Sequence, residues 1–334
     1  MNGFSRLNLA IDVMGGDYAP YEIIKGAIEG CRIYDADLTL AGDKTLIKDC
    51  SEKNNFVLDG IKIINSSDTV FMDDSPSGVL KYKKKSPVYL AAEYASKIDN
   101  SAFLSAGNTG AAMACALFNM KRIQGVFRPA IAIVIPLGSR KFVLIDGGAN
   151  TEVKPVYLQQ FAIMGKVYCR EILKVKDPRI GLLNVGSEEK KGNEITRESF
   201  KLLKESKLNF VGNVEGRDIF EGAADVVVCD GFTGNILLKS IEGMAGFFFG
   251  EIKKLFLSNF ITKVSSLILK KYFKSMKKQF DYEEYGGALL LGVNGIAIIS
   301  HGSSKAKAIK NAVRVARDSL NNDLINKISS EING

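Results

Sequence analysis

The amino-acid sequence predicts an α/β protein with a mostly parallel sheet and helices on both faces. Short apolar runs alternate with longer amphipathic stretches along the chain. Several of these runs end in Gly/Asn turns that lead into helical patterns. Helix breakers are sparse: the 334 residues include 7 Pro, none of them after Pro178, which suits long helices in the second half. At 46% hydrophobic, the chain has ample material for a core of its own.

Residues 7–13 are a short apolar run, read as a strand, and Met14-Gly15-Gly16-Asp17 forms the turn after it. Pro20 is placed as the first residue of a helix to about Cys31, a position that needs no N–H. Residues 38–41 and 61–65 read as strands. Ser86-Pro87 is an N-cap and first-turn pair for a helix to about Ile98. A strand at 102–105 leads into a helix over 108–121. Residues 131–136 and 142–146 read as paired strands around a tight Gly138-Ser139 turn. Pro155 opens a helix to about Ile172, followed by a strand at 180–185, a helix over 192–207 and a buried strand at 225–229. Phe232 or Thr233 begins a long helix. Residues 295–300 form a late strand and 303–321 a closing helix with Ser303 as its N-cap. There is no internal repeat or low-complexity linker, so 1–334 is taken as a single α/β unit of at most two closely packed lobes.

Several function classes fall away on composition. The 5 cysteines are scattered, with no CxxC, which fits reduced thiols rather than a disulfide framework or a zinc site. His301 is the single histidine, so no multi-His metal site forms within one chain. No unbroken apolar run reaches the roughly 18–20 residues of a spanning helix. The first residues lack a secretory apolar region. The expected location is the cytoplasm. Net charge is +8, but residues 251–280 hold eight Lys and one acid. Nearly all the excess charge is therefore local, which is not the pattern of a nucleic-acid coat.

The most informative pattern is the set of turns at strand ends. These are Ser105-Ala106-Gly107-Asn108-Thr109-Gly110, Asp146-Gly147-Gly148-Ala149-Asn150, Asn184-Val185-Gly186-Ser187, Asp230-Gly231-Phe232-Thr233-Gly234-Asn235 and His301-Gly302-Ser303-Ser304. In an open parallel sheet the strand C-termini share one edge, where ligands bind. Glycine permits close backbone approach, and free N–H groups at helix starts suit an anion. One such loop is ordinary turn chemistry; five together point to a phosphate-like ligand. Neither a Walker loop nor a strand–GxGxxG–helix unit is present, so no motif supports a nucleotide.

Three further features are weighed. Glu188-Glu189-Lys190-Lys191-Gly192-Asn193-Glu194 reads by itself as a solvated turn, though a lysine there could steady an oxyanion. His301 beside Ser303 invites a base–nucleophile reading, but the GxSxG elbow is absent. Residues 244–280 carry apolar positions at helical spacing with lysines between them, broken at Ser258-Asn259 into a hairpin. A basic amphipathic hairpin suits an anionic membrane, an acidic protein or a dimer interface.

An ordered series of motifs then carries a family resemblance. It runs from Asp12-Val13-Met14-Gly15-Gly16-Asp17 through the 105–110 and 146–150 loops, Lys191-Gly192-Asn193-Glu194 and Gly212-Asn213-Val214-Glu215-Gly216-Arg217-Asp218. It continues through the 230–235 loop and Tyr285-Gly286-Gly287 to Ser300-His301-Gly302-Ser303-Ser304. Together these resemble the PlsX family, bacterial acyl-ACP:phosphate acyltransferases of phospholipid synthesis, over about 7–320. Lys85-Ser86-Pro87 and Leu289 depart from the family pattern.

The resemblance implies that acyl-ACP and inorganic phosphate give acyl phosphate and free ACP, with no metal or organic cofactor. It implies an isocitrate/isopropylmalate dehydrogenase-like fold, a homodimer and peripheral attachment to the inner face of the cell membrane. Lys191 and Asn235 become the catalytic candidates. Ser105, Gly107, Asn108, Thr109 and Gly110 are the phosphate loop. Asp12, Gly15, Gly16, Asp17, Asp146, Asn150, Arg217 and His301 are further cleft candidates. Lys253, Lys254, Lys263, Lys270, Lys271 and Lys274 are candidates for membrane or ACP contact. The 81–85 lysine run is a lesser ACP candidate. Alternatives are a phosphotransacetylase-like enzyme using acyl-CoA, a dehydrogenase of the shared fold, or a membrane scaffold.

Overall fold

The computed structural model describes residues 6–138, 140–279 and 282–334. The Gly138-Ser139 turn includes Ser139, which lies outside these residues, as do the side chains of Leu267, Ile268, Lys274, Lys277 and Lys278. The first wing comprises β1 (Leu7–Asp12), α1 (Tyr21–Tyr34), β2 (Ala36–Gly42), α2 (Lys44–Asn54), β3 (Lys62–Asn65), α3 (Pro76–Tyr82), α4 (Pro87–Lys97), β4 (Ser101–Ser105) and α5 (Thr109–Met120). Then come β5 (Ala130–Leu137), β6 (Arg140–Ile145), α6 (Pro155–Ile172), β7 (Ile180–Leu183), α7 (Glu194–Lys204), β8 (Phe210–Val214), α8 (Gly216–Glu221) and β9 (Val226–Val228). The chain closes with α9 (Gly231–Leu257), α10 (Phe260–Gln279), β10 (Ala288–Leu291), β11 (Ile296–Ile299), α11 (Ala306–Asn321) and α12 (Leu324–Asn333).

Among the described residues, eleven strands form one sheet in the order β3-β2-β1-β4-β11-β10-β5-β6-β9-β7-β8. Two parallel wings flank an antiparallel centre: β11–β10, β10–β5 and β5–β6 pair antiparallel. That centre corrects one sequence expectation. Three reversals make the second wing run opposite to the first, so the turns do not leave a single edge. The loops after β1, β4 and β11 leave one edge, and those after β6, β9, β7 and β8 leave the other. Strand twist of roughly 20–25° per step then rotates the wings relative to each other across the six steps from β1 to β9.

One face of the sheet carries a continuous core. Leu9, Ile11, Val143, Ile145, Val226 and Val228 meet α1, α6, α11 and α12 in a single cluster spanning both wings. The other face carries two clusters. Ala10, Phe103 and Ile131 pack under α4 and α5, whereas Phe142, Leu144 and Val227 pack under Leu237, Leu238 and Ile241 of α9. Half-buried Ile133 on β5 borders both. The helical layer is therefore divided into two apolar clusters above the central strands.

Shorter elements escaped the periodicity: α2, α3, α8, β8 and β10. Pro20 is the N-cap of α1 rather than its first residue. Ser303 is not the cap of α11, which begins at Ala306; the Ala306 N–H donates to Glu22 Oε2 of α1 at 2.8 Å. Two helices cross so closely there that a sequence-distant carboxylate serves as the cap. Gly26 makes the approach possible: a Cβ on it would lie 2.5 Å from the Ala306 carbonyl oxygen. Gly26→Ala should therefore cost about 1–3 kcal/mol of stability by urea unfolding. An unchanged midpoint would contradict this packing.

Candidate active site

Each edge is organised by a buried aspartate at the end of a strand. Asp12 Oδ1 accepts the Met14 and Gly15 N–H groups at 3.1 Å each, and its Oδ2 accepts the Ser105 hydroxyl at 2.8 Å. Ser105 Oγ in turn accepts the Gly107 N–H at 3.1 Å. One carboxylate thus ties the loop after β1 to the loop after β4. The backbones nearly touch: a Cβ on Gly15 would lie 2.7 Å from Gly107 N. The third loop joins through the Asp17 N–H, which donates to the Gly302 carbonyl at 2.8 Å. Gly16, at φ 106°, makes the necessary turn. Asp12, Gly15, Gly16, Asp17, Ser105, Gly107 and the 301–302 turn are therefore brought together.

Asp146 repeats the device on the other edge. Its Oδ1 accepts from Gly148 N at 3.1 Å, Ala149 N at 2.9 Å and Ile131 N at 3.0 Å. Its Oδ2 accepts from Asn150 N at 2.7 Å and Asn150 Nδ2 at 2.8 Å. The loop it holds packs against the start of α9, where a Cβ on Gly234 would collide with the Asp146 carbonyl. A Cβ on Gly148 would lie 3.6 Å from the Asn235 Cβ. Asp230 caps α9 by accepting from Thr233 N and Oγ1. Among the described residues, the half-buried Asn235 carboxamide has no hydrogen-bond partner.

Burial raises the pKa of both aspartates. Asp12 rises to about 6, because desolvation outweighs the Ser105 hydroxyl and the two amides that favour its charge. Asp146 is raised for the same reason, against the same kind of donors. Elsewhere the thiols are held in their neutral form by burial. Burial pushes Cys31, Cys115 and Cys169 up to about 12 and raises Cys229 as well, and all five cysteines are free and buried.

Several assigned side chains prove to be committed to structure. Asn108 caps α5 through Oδ1, which accepts from Ala111 N, while its Nδ2 donates to the Phe71, Met72 and Asp74 carbonyls. Its carboxamide is therefore engaged in structural bonds, and the Ser105 hydroxyl lies between Asp12 and the Gly107 N–H. The N–H groups of Thr109 and Gly110, in the first turn of α5, are left without an acceptor among the described residues. Arg217 is paired with Glu215 at 3.2 Å and Asp218 at 3.6 Å in its own turn. It lies in α8, at the edge that β8 leads to, so it does not share an edge with Asp12 and His301 as the sequence suggested.

Lys191 follows β7, on the same edge as Asn235. It is exposed and stands 4.0 Å from Glu188. Its loop is shaped by two residues that sequence reasoning did not assign. Asn184 Nδ2 donates to the Lys191 carbonyl at 3.1 Å, and Asn213 Nδ2 donates to the Glu188 carbonyl at 2.9 Å. Asn213 stood inside a quoted motif, but its role needed the pairing of β7 with β8. The edges meet through α9: burial raises the Glu242 carboxyl, with nearby His301 and Lys239 acting the other way. His301 Nδ1 lies 2.7 Å from Ser303 Oγ, a contact within one turn. Among the described residues, no three His, Cys, Asp or Glu side chains cluster as metal ligands.

The fold is like that of solved phosphotransacetylases. It matches a phosphotransacetylase from Streptococcus pyogenes at TM-score 0.64 and 15% identity, covering 96% of this chain and 95% of that one. It matches the EutD phosphotransacetylase from Staphylococcus aureus at TM-score 0.63 and 14% identity, covering 94% of each. Sequence relatives are far nearer. A phosphate acyltransferase of Halothermothrix orenii is 48% identical over 98% of this chain and 99% of its own length. One of Clostridium novyi is 45% identical over 98% of each. Residues 7–327 match the family model described as fatty acid synthesis protein, and the chain belongs to that family, the PlsX phosphate acyltransferases.

Asp12 gives a pH prediction with a definite sign. Its folded pKa is near 6 against 3.8 unfolded, so the folded state binds its proton more tightly. The stability this lends is full below the unfolded value and is lost as pH rises through 6. At about 1.4 kcal/mol per pKa unit, wild type should lose about 1–2 kcal/mol relative to Asp12→Asn between pH 5 and 8. Urea titrations of both proteins check this, and a pH-independent difference would contradict it.

Proposed function

We propose that the enzyme transfers a long-chain acyl group from acyl-ACP to inorganic phosphate, yielding acyl phosphate and free ACP for phospholipid synthesis. The observation that carries this reading is the unpartnered Asn235 carboxamide against the Asp146 loop, in a site where the thiols are buried and Ser105 is locked to Asp12. Such a site offers hydrogen-bond donors without an activated protein nucleophile.

Phosphate is then the nucleophile. One of its oxygens bonds to the thioester carbonyl carbon, and the carbonyl oxygen becomes an oxyanion. Collapse breaks the C–S bond and releases a thiolate, whose conjugate thiol has a pKa near 8.5, so strong acid assistance is unnecessary. Catalysis by positioning and electrostatic stabilisation suffices. Asn235 and Lys191 stabilise the oxyanion and the departing sulfur. The free amides of Thr109 and Gly110 at the start of α5 seat phosphate. This reading also takes 1–334 as one α/β unit.

The same proposal places the protein at the cytoplasmic face of the membrane. Among the described residues, no helix is long and apolar enough to cross a membrane. Yet Phe247, Phe248, Leu255 and Phe260 are 61–80% exposed, on helices where Phe256 packs edge-on against Phe273 at 4.6 Å. Lys253, Lys254, Lys263, Lys270 and Lys271 are exposed beside them. An apolar stripe flanked by lysines fits an anionic lipid surface. A homodimer covering part of the same stripe is compatible with that arrangement.

Phosphate-dependent release of ACP thiol from long-chain acyl-ACP tests the reaction. A faster rate with acyl-CoA would favour the phosphotransacetylase-like alternative. Lys191→Ala and Asn235→Ala should each lower kcat by about 10²–10³, and near-wild-type rates would remove these roles. Reversing the charge of Lys270, Lys271 and Lys274 together should weaken binding to anionic vesicles severalfold in a sedimentation assay. Unchanged binding would exclude this cluster.

A further inference from the structure

The region where α5 ends and β5 begins has no part in the chemistry above. Two adjoining pockets open there and share Leu117 and Arg122. The larger, about 450 Å³, is walled by Phe127, Pro129 and Tyr157 and rimmed by Arg122 and Arg128. The Phe127 and Tyr157 rings stand 5.9 Å apart. Among the described residues, no carboxylate lines either pocket. Lys121, Arg122 and Arg128 are exposed, and none has an ion-pair partner among the described residues. This is uncompensated positive charge around an apolar slot.

Two features show that the rim is built rather than incidental. Arg122 is fixed in place: its backbone bridges Val293, and its Nη1 donates to the Phe127 carbonyl. The guanidinium is thus oriented in advance, with other N–H groups left for a ligand. Lys121 has φ 64° and ψ 178°, a backbone region that is essentially reserved for glycine. A lysine sits where glycine would be unstrained, and its ammonium lies 4.7 Å from the Phe118 ring centroid.

The slot also adjoins the catalytic edge. The Pro129 carbonyl accepts from Asn150 Nδ2 at 2.8 Å, and Asn150 is bonded to Asp146. Resting on the donor assignment above, we infer that this rim docks the acidic carrier protein. In this arrangement Arg122 and Arg128 seat the phosphodiester of its prosthetic arm, and the Phe127–Tyr157 wall leads the arm towards the Asn150 loop. Guanidinium pairs suit a phosphodiester oxygen, and uncompensated surface charge steers an oppositely charged partner. The neutral remainder of such an arm needs an apolar wall, which the two rings supply.

Fluorescence anisotropy of labelled holo-ACP, titrated with the full-length protein at low salt, tests the inference. Arg122→Glu and Arg128→Glu should each raise Kd at least tenfold. Lys48→Glu, an equal charge change on the exposed face of α2, should leave Kd unchanged. Lys121→Gly should raise Kd severalfold while keeping the melting temperature at or above that of wild type, because glycine relieves the backbone. That opposition separates docking from simple damage to the fold. Wild-type Kd in the two arginine variants would overturn the inference, and so would equal weakening by Lys48→Glu. So would loss of anionic-vesicle binding by the arginine variants with ACP affinity retained. The donor assignment fails separately, if wild type releases no ACP thiol when phosphate is added.

Discussion

Two buried carboxylates hold the candidate site together. Asp12 and Asp146 each end a strand, and each gathers the N–H groups two and three residues further on. Each also reaches a neighbouring strand: Asp12 takes the hydroxyl of Ser105, and Asp146 takes the N–H of Ile131. A glycine-rich loop has little intrinsic reason to keep one shape. Tied to a buried carboxylate, it becomes a fixed backbone surface. Desolvation makes that charge expensive, as the raised pKa of Asp12 shows, so the donors around it are obligatory rather than decorative.

The sheet decides where these surfaces lie. Three antiparallel pairings reverse one wing against the other, leaving the helical layer on one face divided between two apolar clusters. The opposite face is one unbroken core. The result is a split helical layer on one face and a single core on the other. Helix α9 spans the division, starting beside the Asp146 loop at Asn235 and bringing Glu242 to within electrostatic reach of His301.

Much of the α/β architecture was legible because buried strands read as apolar runs and Gly/Asn turns follow them. The loops of Asp12, 105–110, 146–150 and 230–235 stood out for the same reason. Their distribution over two edges was not legible. That depends on β10 and β5 running against their neighbours, and β10 is four residues long. The division of labour within a loop was equally hidden. Asn108 looks like a ligand contact in sequence, but folding brings Phe71, Met72 and Asp74 to it, and their carbonyls occupy its Nδ2. Ser303 looks like a helix cap, yet Glu22 arrives from another helix to do that work. Lys121 shows no signal in sequence at all, since its strained backbone exists only in the folded chain.

In the proposed reaction, orthophosphate attacks the thioester without an acylated form of the enzyme. The decisive measurement mixes stoichiometric enzyme with acyl-ACP in phosphate-free buffer and follows thiol release by rapid quench, with intact mass spectrometry of the protein. The expected result is no thiol burst and an unmodified enzyme mass, with turnover beginning only when phosphate is added. A stoichiometric burst, accompanied by a mass increase of one acyl group, would contradict it.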